Sequence, residues 1–326
     1  MKLKLRSFLK LVEIQTKVAS MVPFALGTVW ALYRYGEFNF LNFLLMLISL
    51  LCFDMATTAI NNYMDFKKAK KVSGYNYEKH NAIVRDRLKE STVVGVILFL
   101  LIVASVSGFI LYLQTSPVVL IIGVLSFMVG ILYTSGPVPI SRMPLGEVFS
   151  GFFMGFVIVF LSAFIHVHNK SNIALLSYRE NMLTIGLNPA EILRIFFVSL
   201  PGILGIANIM LANNICDIED DIVNKRYTLP ICIGKEKALK LFKILYYTAY
   251  ADILGLILAR ILPLTSVLIL ATLPIVNKNI KTFFKEQSKA STFVFSVKNF
   301  LIINVTEVLT ICIGLFFSNI FLSFSV

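Results

Sequence analysis

Asn213-Asn214-Ile215-Cys216-Asp217-Ile218-Glu219-Asp220-Asp221 closes an apolar run that begins near Ile195. A run of that length crosses the hydrocarbon of a bilayer as a helix, so four acidic groups fall where a membrane-length helix meets water. At helical pitch Asn213, Asp217 and Asp221 are four apart and share one face, while Glu219 and Asp220 point to other sides of the turn. Carboxylates at a helix C-terminus sit in its negative field and need a compensating cation. Lys225 and Arg226, a turn later, are one source. A hard divalent metal, which takes oxygen ligands and keeps water and substrate phosphate in its shell, is the other.

The pattern occurs twice. Asn61-Asn62-Tyr63-Met64-Asp65 also closes a long apolar run, with Asn61 and Asp65 spaced like Asn213 and Asp217, and Lys67, Lys68, Lys70 and Lys71 follow it. Both stretches pair oxygen ligands for a cation with basic groups for an anion, a combination that suits metal plus diphosphate.

Composition places these motifs in a membrane. Hydrophobic residues make up 57% of the chain and charged residues 15%, a balance too apolar for a soluble domain of 326 residues. The expected fold is an all-α polytopic membrane protein. Nine spans are read, near 18–35, 41–61, 92–113, 117–134, 146–166, 193–214, 240–259, 261–276 and 300–322, forming one bundle around a central cavity open to the cytoplasmic side. No cleavable signal peptide is read, because Glu13, Gln15 and Lys17 interrupt the start before the first apolar run. With the N-terminus inside, only Arg34, Lys170, Arg179, Arg194 and Arg260 of the 30 basic residues fall outside. Both motifs then face the cytoplasm. The net charge of +12 lies there too, which suits an anionic leaflet and phosphorylated substrates. Nucleic acid is a poor partner, since no soluble basic domain is present.

The remaining polar groups are read against this frame. Met1 to Lys17 interleaves basic and apolar residues, as in a short helix lying on the bilayer surface. Lys17 stands at the mouth of the first span, where it reaches a phosphate or snorkels as an anchor. Asp54 precedes Thr58, Asn61 and Asp65 on one helix face. A carboxylate inside a membrane costs about 2.5–3.5 kcal/mol on insertion scales. It therefore lines a polar cavity, the favoured reading, or makes an interhelical hydrogen bond. Residues 62–91 form a long cytoplasmic loop with a turn at Ser73-Gly74 and a short helix within Asn76 to Leu88, of the length expected for a lid. Tyr133-Thr134-Ser135-Gly136-Pro137 and Arg142 make a Gly- and Pro-rich turn on the same face, with Gly146-Glu147 entering the next span. The segment from His166 to Glu191 carries breakers at Gly186 and Pro189 and no assigned chemistry. Asp252 and Glu307 are intramembrane acids with substrate-contacting and structural readings both open. The four cysteines lack metal-site spacing and read as packing residues.

These motifs resemble the UbiA superfamily of intramembrane prenyltransferases, and within it the branch that prenylates 1,4-dihydroxy-2-naphthoate. The resemblance rests on Asn213 to Asp221, on Tyr133-Thr134-x-Gly136-Pro137, on Gly146-Glu147 and on Val22-Pro23-x-x-Leu26-Gly27-Thr28, and covers nearly the whole chain as a single domain, 1–326. It implies Mg2+ held by Asn61, Asp65, Asp217 and Asp221, the same four residues being catalytic. Lys68, Arg142, Lys225 and Arg226 bind diphosphate, and Asp54, Thr58, Tyr133, Asn213 and Asn214 line the substrate cavity. The implied reaction moves a polyprenyl group from polyprenyl diphosphate to dihydroxynaphthoate with loss of its carboxylate, giving demethylmenaquinone at the plasma membrane. Three positions depart from the pattern. Asn62 stands where the family usually has Asp, Thr58 where this branch often has Asn, and Asp54 where it often has Gln. A further acid common to the first motif is replaced within the lysine run, so that motif is short of charge. The alternatives are a UbiA-type enzyme with another acceptor and, from a different class, a secondary transporter using Asp54, Asp252 and Glu307 as coupling-ion sites.

Overall fold

The computed structural model describes residues 4–68, 82–134, 139–169, 173–179 and 182–323. Helix dominates it, as a bilayer requires: with no water in the hydrocarbon, each backbone N–H and C=O is satisfied most simply within its own helix. Among the described residues seven helical stretches are long and apolar enough to cross a membrane. They lie within Phe40–Lys68, Glu90–Gln114, the continuous run 146–167, Pro189–Cys216, Lys235–Leu258, the run 264–285 and Val294–Ser323. Helices stand at the other two expected positions: Pro117–Thr134, apolar but shorter, and Val18–Tyr35, which is not among the seven.

The chain divides into two compact units. The first holds residues 1–21 and 44–139. In it the helix Leu5–Leu11 leads through a 3-10 turn, Ile14–Lys17, toward the second helix. Leu11 packs with Ala59, Ala82, Ile83 and Val93, and Val12 with Met55, Ala56 and Leu100. The N-terminal segment is thus seated on helices Phe40–Lys68 and Glu90–Gln114 by its apolar side. Residues 62–68, expected to start a loop, instead extend the helix to Lys68, and Ala82–Arg85 forms one more helical turn. The rest of the expected lid, with Ser73-Gly74, lies outside the described residues.

The second unit holds residues 22–43 and 140–326. Its centre is the helix Pro189–Cys216, packed against the 146–167 run, the helix Lys235–Leu258 and the helix Val294–Ser323. Glycines allow the closest approach: a Cβ on Gly155 would lie 2.5 Å from Ile203 Cα, and one on Gly151 2.8 Å from Ile203 O. Small residues let membrane helices pack backbone to backbone, where dispersion rather than hydrophobic burial drives association. The same stretch, Gly151–Val157, is wound as a π-helix, a local form frequent at functional sites.

The segment between His166 and Glu191 contains an antiparallel hairpin, Ala174–Arg179 with Met182–Leu187, in which Ser177 pairs with Thr184 and Arg179 with Met182. The hairpin hands over directly to the central helix: Asn188 N donates to Ile173 O at 2.9 Å, and Asn188 Oδ1 accepts from Glu191 N at 3.3 Å, capping the helix that Pro189 begins.

Candidate active site

The second acidic motif sits on a break in the helix. The helix Pro189–Cys216 stops at Asp217 (φ −100°, ψ 8°), and a six-residue helix, Ile218–Val223, starts there. Backbone bonding nevertheless runs through the break, with Asp217 N donating to Asn213 O at 3.1 Å and Asp221 N to Asp217 O at 2.8 Å. The four-residue spacing of Asn213, Asp217 and Asp221 therefore survives. The electrostatic argument changes, because Glu219, Asp220 and Asp221 occupy the first turn of a new helix, where a carboxylate is favoured, rather than the end of an old one.

Asn213, Asp217 and Asp221 each have an identifiable partner. Asn213 Nδ2 lies 3.4 Å from Asp217 Oδ2, and Asp217 also forms an ion pair with Lys289, 72 positions later in the chain. Asp221 is buried; Thr228 Oγ1 donates to its Oδ2 at 3.2 Å and Arg226 Nη1 approaches Oδ1 at 3.4 Å. Burial raises the Asp221 carboxyl above its ordinary range, and Arg226 and the Thr228 hydroxyl oppose that rise. The turn between them is tight: Arg226 N donates to Asp221 O at 2.8 Å, and Lys225 takes a left-handed backbone (φ 53°) with its side chain exposed. Tyr227 N donates to Arg142 O at 3.1 Å, which sets the 3-10 turn Ile140–Arg142 beside the Arg226 loop. Two of the expected diphosphate cations are thereby brought together.

Beneath the motif Asn214 turns the other way. Its Nδ2 donates to Glu147 Oε1 at 2.8 Å in the buried interior, and Glu147 Oε2 has no partner among the described residues. A buried polar atom left unsatisfied costs roughly 1–3 kcal/mol, so Glu147 is a candidate for contact with a bound group. In the sequence Glu147 marks only the entry to a span and Thr228 only a basic loop, and neither they nor Lys289 stand out as partners of the motif. No spacing rule links Lys289 to Asp217.

The first motif lies in the other unit on an unbroken helix. Asn61 and Asp65 are exposed near the end of Phe40–Lys68, and Lys68 closes that helix. One turn and two turns deeper, Thr58 and Asp54 meet Lys17: its Nζ donates to Asp54 Oδ1 at 2.6 Å and to Thr58 Oγ1 at 2.6 Å, and Ser20 Oγ donates to Asp54 Oδ2. Lys17 is 3% exposed, so the surface-anchor reading does not describe it. Its ammonium holds the intramembrane acid. Tyr133 ends the Pro117–Thr134 helix, and residues 135–138 of the adjoining turn lie outside the described residues.

Among the described residues no three His, Cys, Asp or Glu side chains converge on one point. What the motifs offer is a few hard oxygen donors each, Asn61 with Asp65 and Asn213 with Asp217 and Asp221. That donor set fits Mg2+, which keeps several waters and binds through one or two carboxylates plus substrate phosphate. It does not fit a metal needing sulfur or imidazole.

Residues 20–305 match the UbiA prenyltransferase family. The chain belongs to this family. It is 34% identical over 249 residues to 1,4-dihydroxy-2-naphthoate octaprenyltransferase of Bacillus subtilis (strain 168), covering 76% of this chain and 73% of that one. Its fold is that of UbiA homologues of known structure. The apo structure of a homologue from Aeropyrum pernix K1 matches with a TM-score of 0.65 at 18% identity, over 89% of this chain and 97% of that one. A homologue from Archaeoglobus fulgidus bound to GPP and Mg2+ matches with a TM-score of 0.59 at 14% identity, over 95% and 99%. This UbiA-family chain is accordingly a multi-pass membrane prenyltransferase.

Proposed function

We propose that the chain transfers a polyprenyl group from an allylic polyprenyl diphosphate to 1,4-dihydroxy-2-naphthoate. The observation that carries this reading is the second motif, whose Asp217 and Asp221 are kept in helical register across a break and backed by Arg226 and Thr228. The naphthoate acceptor is taken from the relative in Bacillus subtilis. In the reaction the allylic C–O bond breaks with its electron pair leaving on diphosphate. A ring carbon of the acceptor forms the new C–C bond, and the carboxylate departs as carbon dioxide. The product is the reduced form of demethylmenaquinone.

Asn61 and Asp65 in one unit, and Asp217 and Asp221 in the other, are the residues assigned to hold Mg2+, which when bound offsets diphosphate charge. Lys68, Arg142, Lys225 and Arg226 are assigned to the departing diphosphate, where charge-assisted hydrogen bonds strengthen as negative charge develops. Asp54, Thr58 and Tyr133 of the first unit, and Asn213 and Asn214 of the second, are assigned to substrate. The dry surroundings of a helical bundle protect an allylic cation from water. In this reading the whole chain acts as one domain with nine membrane-crossing helices, in the plasma membrane, its N-terminus and site facing the cytoplasm.

Membranes carrying the protein, incubated with radiolabelled prenyl diphosphate and a panel of aromatic acceptors, test the proposal. Label should pass to dihydroxynaphthoate ahead of hydroxybenzoate and other acceptors. Transfer to a different acceptor with dihydroxynaphthoate inert would overturn the acceptor assignment, and no transfer at all would overturn the reaction.

A further inference from the structure

The first motif brings one carboxylate, Asp65, where the second brings Asp217 and Asp221, and an amide, Asn62, stands three residues before Asp65. The structure shows what that amide does. Asn62 Nδ2 donates to the carbonyl of Leu11 at 2.9 Å and to Glu13 Oε1 at 3.2 Å. An ionised carboxylate at 62 has no hydrogen to donate and would set anionic oxygen against both acceptors. Asn62 and Glu13 are therefore a matched pair: an acid at one position calls for an amide at the other.

Glu13 is delivered to this place by the local fold. Leu11 and Val12 are fully buried and pin the end of the first helix. The chain then bends at Glu13 through a left-handed conformation (φ 47°, ψ 59°), uncommon for a residue with a Cβ. Thr16 N and Thr16 Oγ1 both donate to the Glu13 carbonyl at 2.8 Å and hold the bend. Lys17, four residues further on, is committed to Asp54 and Thr58, and Lys10, three residues before, forms no ion pair with Glu13. Among the described residues Glu13 enters no ion pair. Positions 62 and 65 are three apart and so neighbours on the helix surface. A carboxylate within hydrogen-bonding distance of the Asn62 amide thus stands beside the turn that carries Asn61 and Asp65.

We infer that Glu13 supplies the carboxylate which the first motif lacks at position 62, as an oxygen donor toward the divalent cation held there. This rests on the metal-dependent reading of the motif. It also gives the surface-lying N-terminal segment a part in the site.

The test is Mn2+ titration of the purified full-length chain in nanodiscs, followed by EPR of free Mn2+, with metal-free melting temperatures as the structural control. Gln at 13 keeps an oxygen to accept from Asn62, so Glu13→Gln should melt like wild type while binding Mn2+ at least about tenfold more weakly, as loss of a ligand charge predicts. The exchanged pair, Glu13→Gln with Asn62→Asp, keeps one acid and one amide but loses the donation to Leu11 O, so it should recover affinity to within about threefold while melting below wild type. Wild-type Mn2+ affinity in Glu13→Gln, with affinity lost in Asp65→Asn, overturns the inference and leaves the metal reading standing. Unchanged affinity in Asp65→Asn, or none in wild type, overturns the metal reading and the inference with it.

Discussion

The two acidic motifs share a spacing and differ in everything around it. Asn61 and Asp65 are exposed on an unbroken helix with one carboxylate between them. Asp217 and Asp221 flank a helix break, Asp221 is buried, and Lys289, Arg226 and Thr228 already engage them. The second site is thus pre-organised by its own polar partners. The first leans on the N-terminal segment, through Asn62 on Leu11 and Glu13 and, deeper, Asp54 on Lys17. The spacing is legible in the sequence at both places, whereas the partners that surround each acid are set by which segments pack beside it.

The contrast can be broken most sharply by removing one acid at each site. Asp221→Asn and Asp65→Asn should each lower the rate of prenyl transfer by about 10²–10³-fold or more, the usual loss when a group stabilising developing charge is removed. Asp221→Asn should leave thermal stability nearly unchanged, since Asn still accepts from Thr228. Turnover of either variant at the wild-type rate removes that residue from the site. Chelation of divalent metal should abolish turnover in the wild type, with recovery on adding Mg2+; activity undiminished in chelator would contradict both motifs at once.

Next in size is the support under the first motif. Lys17→Met leaves the half-buried Asp54 without its counter-charge, with only Ser20 donating to it, and should cost up to about 3 kcal/mol, read as lost melting temperature in micelles. The double variant Lys17→Met with Asp54→Leu should regain most of it. Asp54→Asn should raise the KM for the aromatic acceptor without moving the metal titration, because Asp54 lies about 16 Å along the helix from Asp65. A shifted metal titration with unchanged KM would place Asp54 at the metal instead. The smallest effect belongs to Lys289, which is more than half exposed and, on the proposed reading, would compete with metal for Asp217. Lys289→Met should lower the metal concentration for half-maximal rate by about two- to threefold, as for a solvent-screened pair.

Sequence alone determined the helices and the ligand types. An apolar run in a bilayer has little choice but to coil, because its backbone must satisfy itself, and oxygen ligands four apart share a face wherever helical bonding persists. Both rules are local, so they survived into the structure even across the break at Asp217. The tertiary structure decided which partner each polar group takes. Lys17 went to Asp54, Lys289 to Asp217, Asn214 to Glu147 and Asn62 to Glu13, at separations from 37 to 72 residues. It also decided that the segment before Pro189 folds as a hairpin and that the lysines after Asp65 begin inside a helix. No periodicity encodes such pairings. They follow from which helices pack together, and from the cost of leaving any buried charge or amide without a partner.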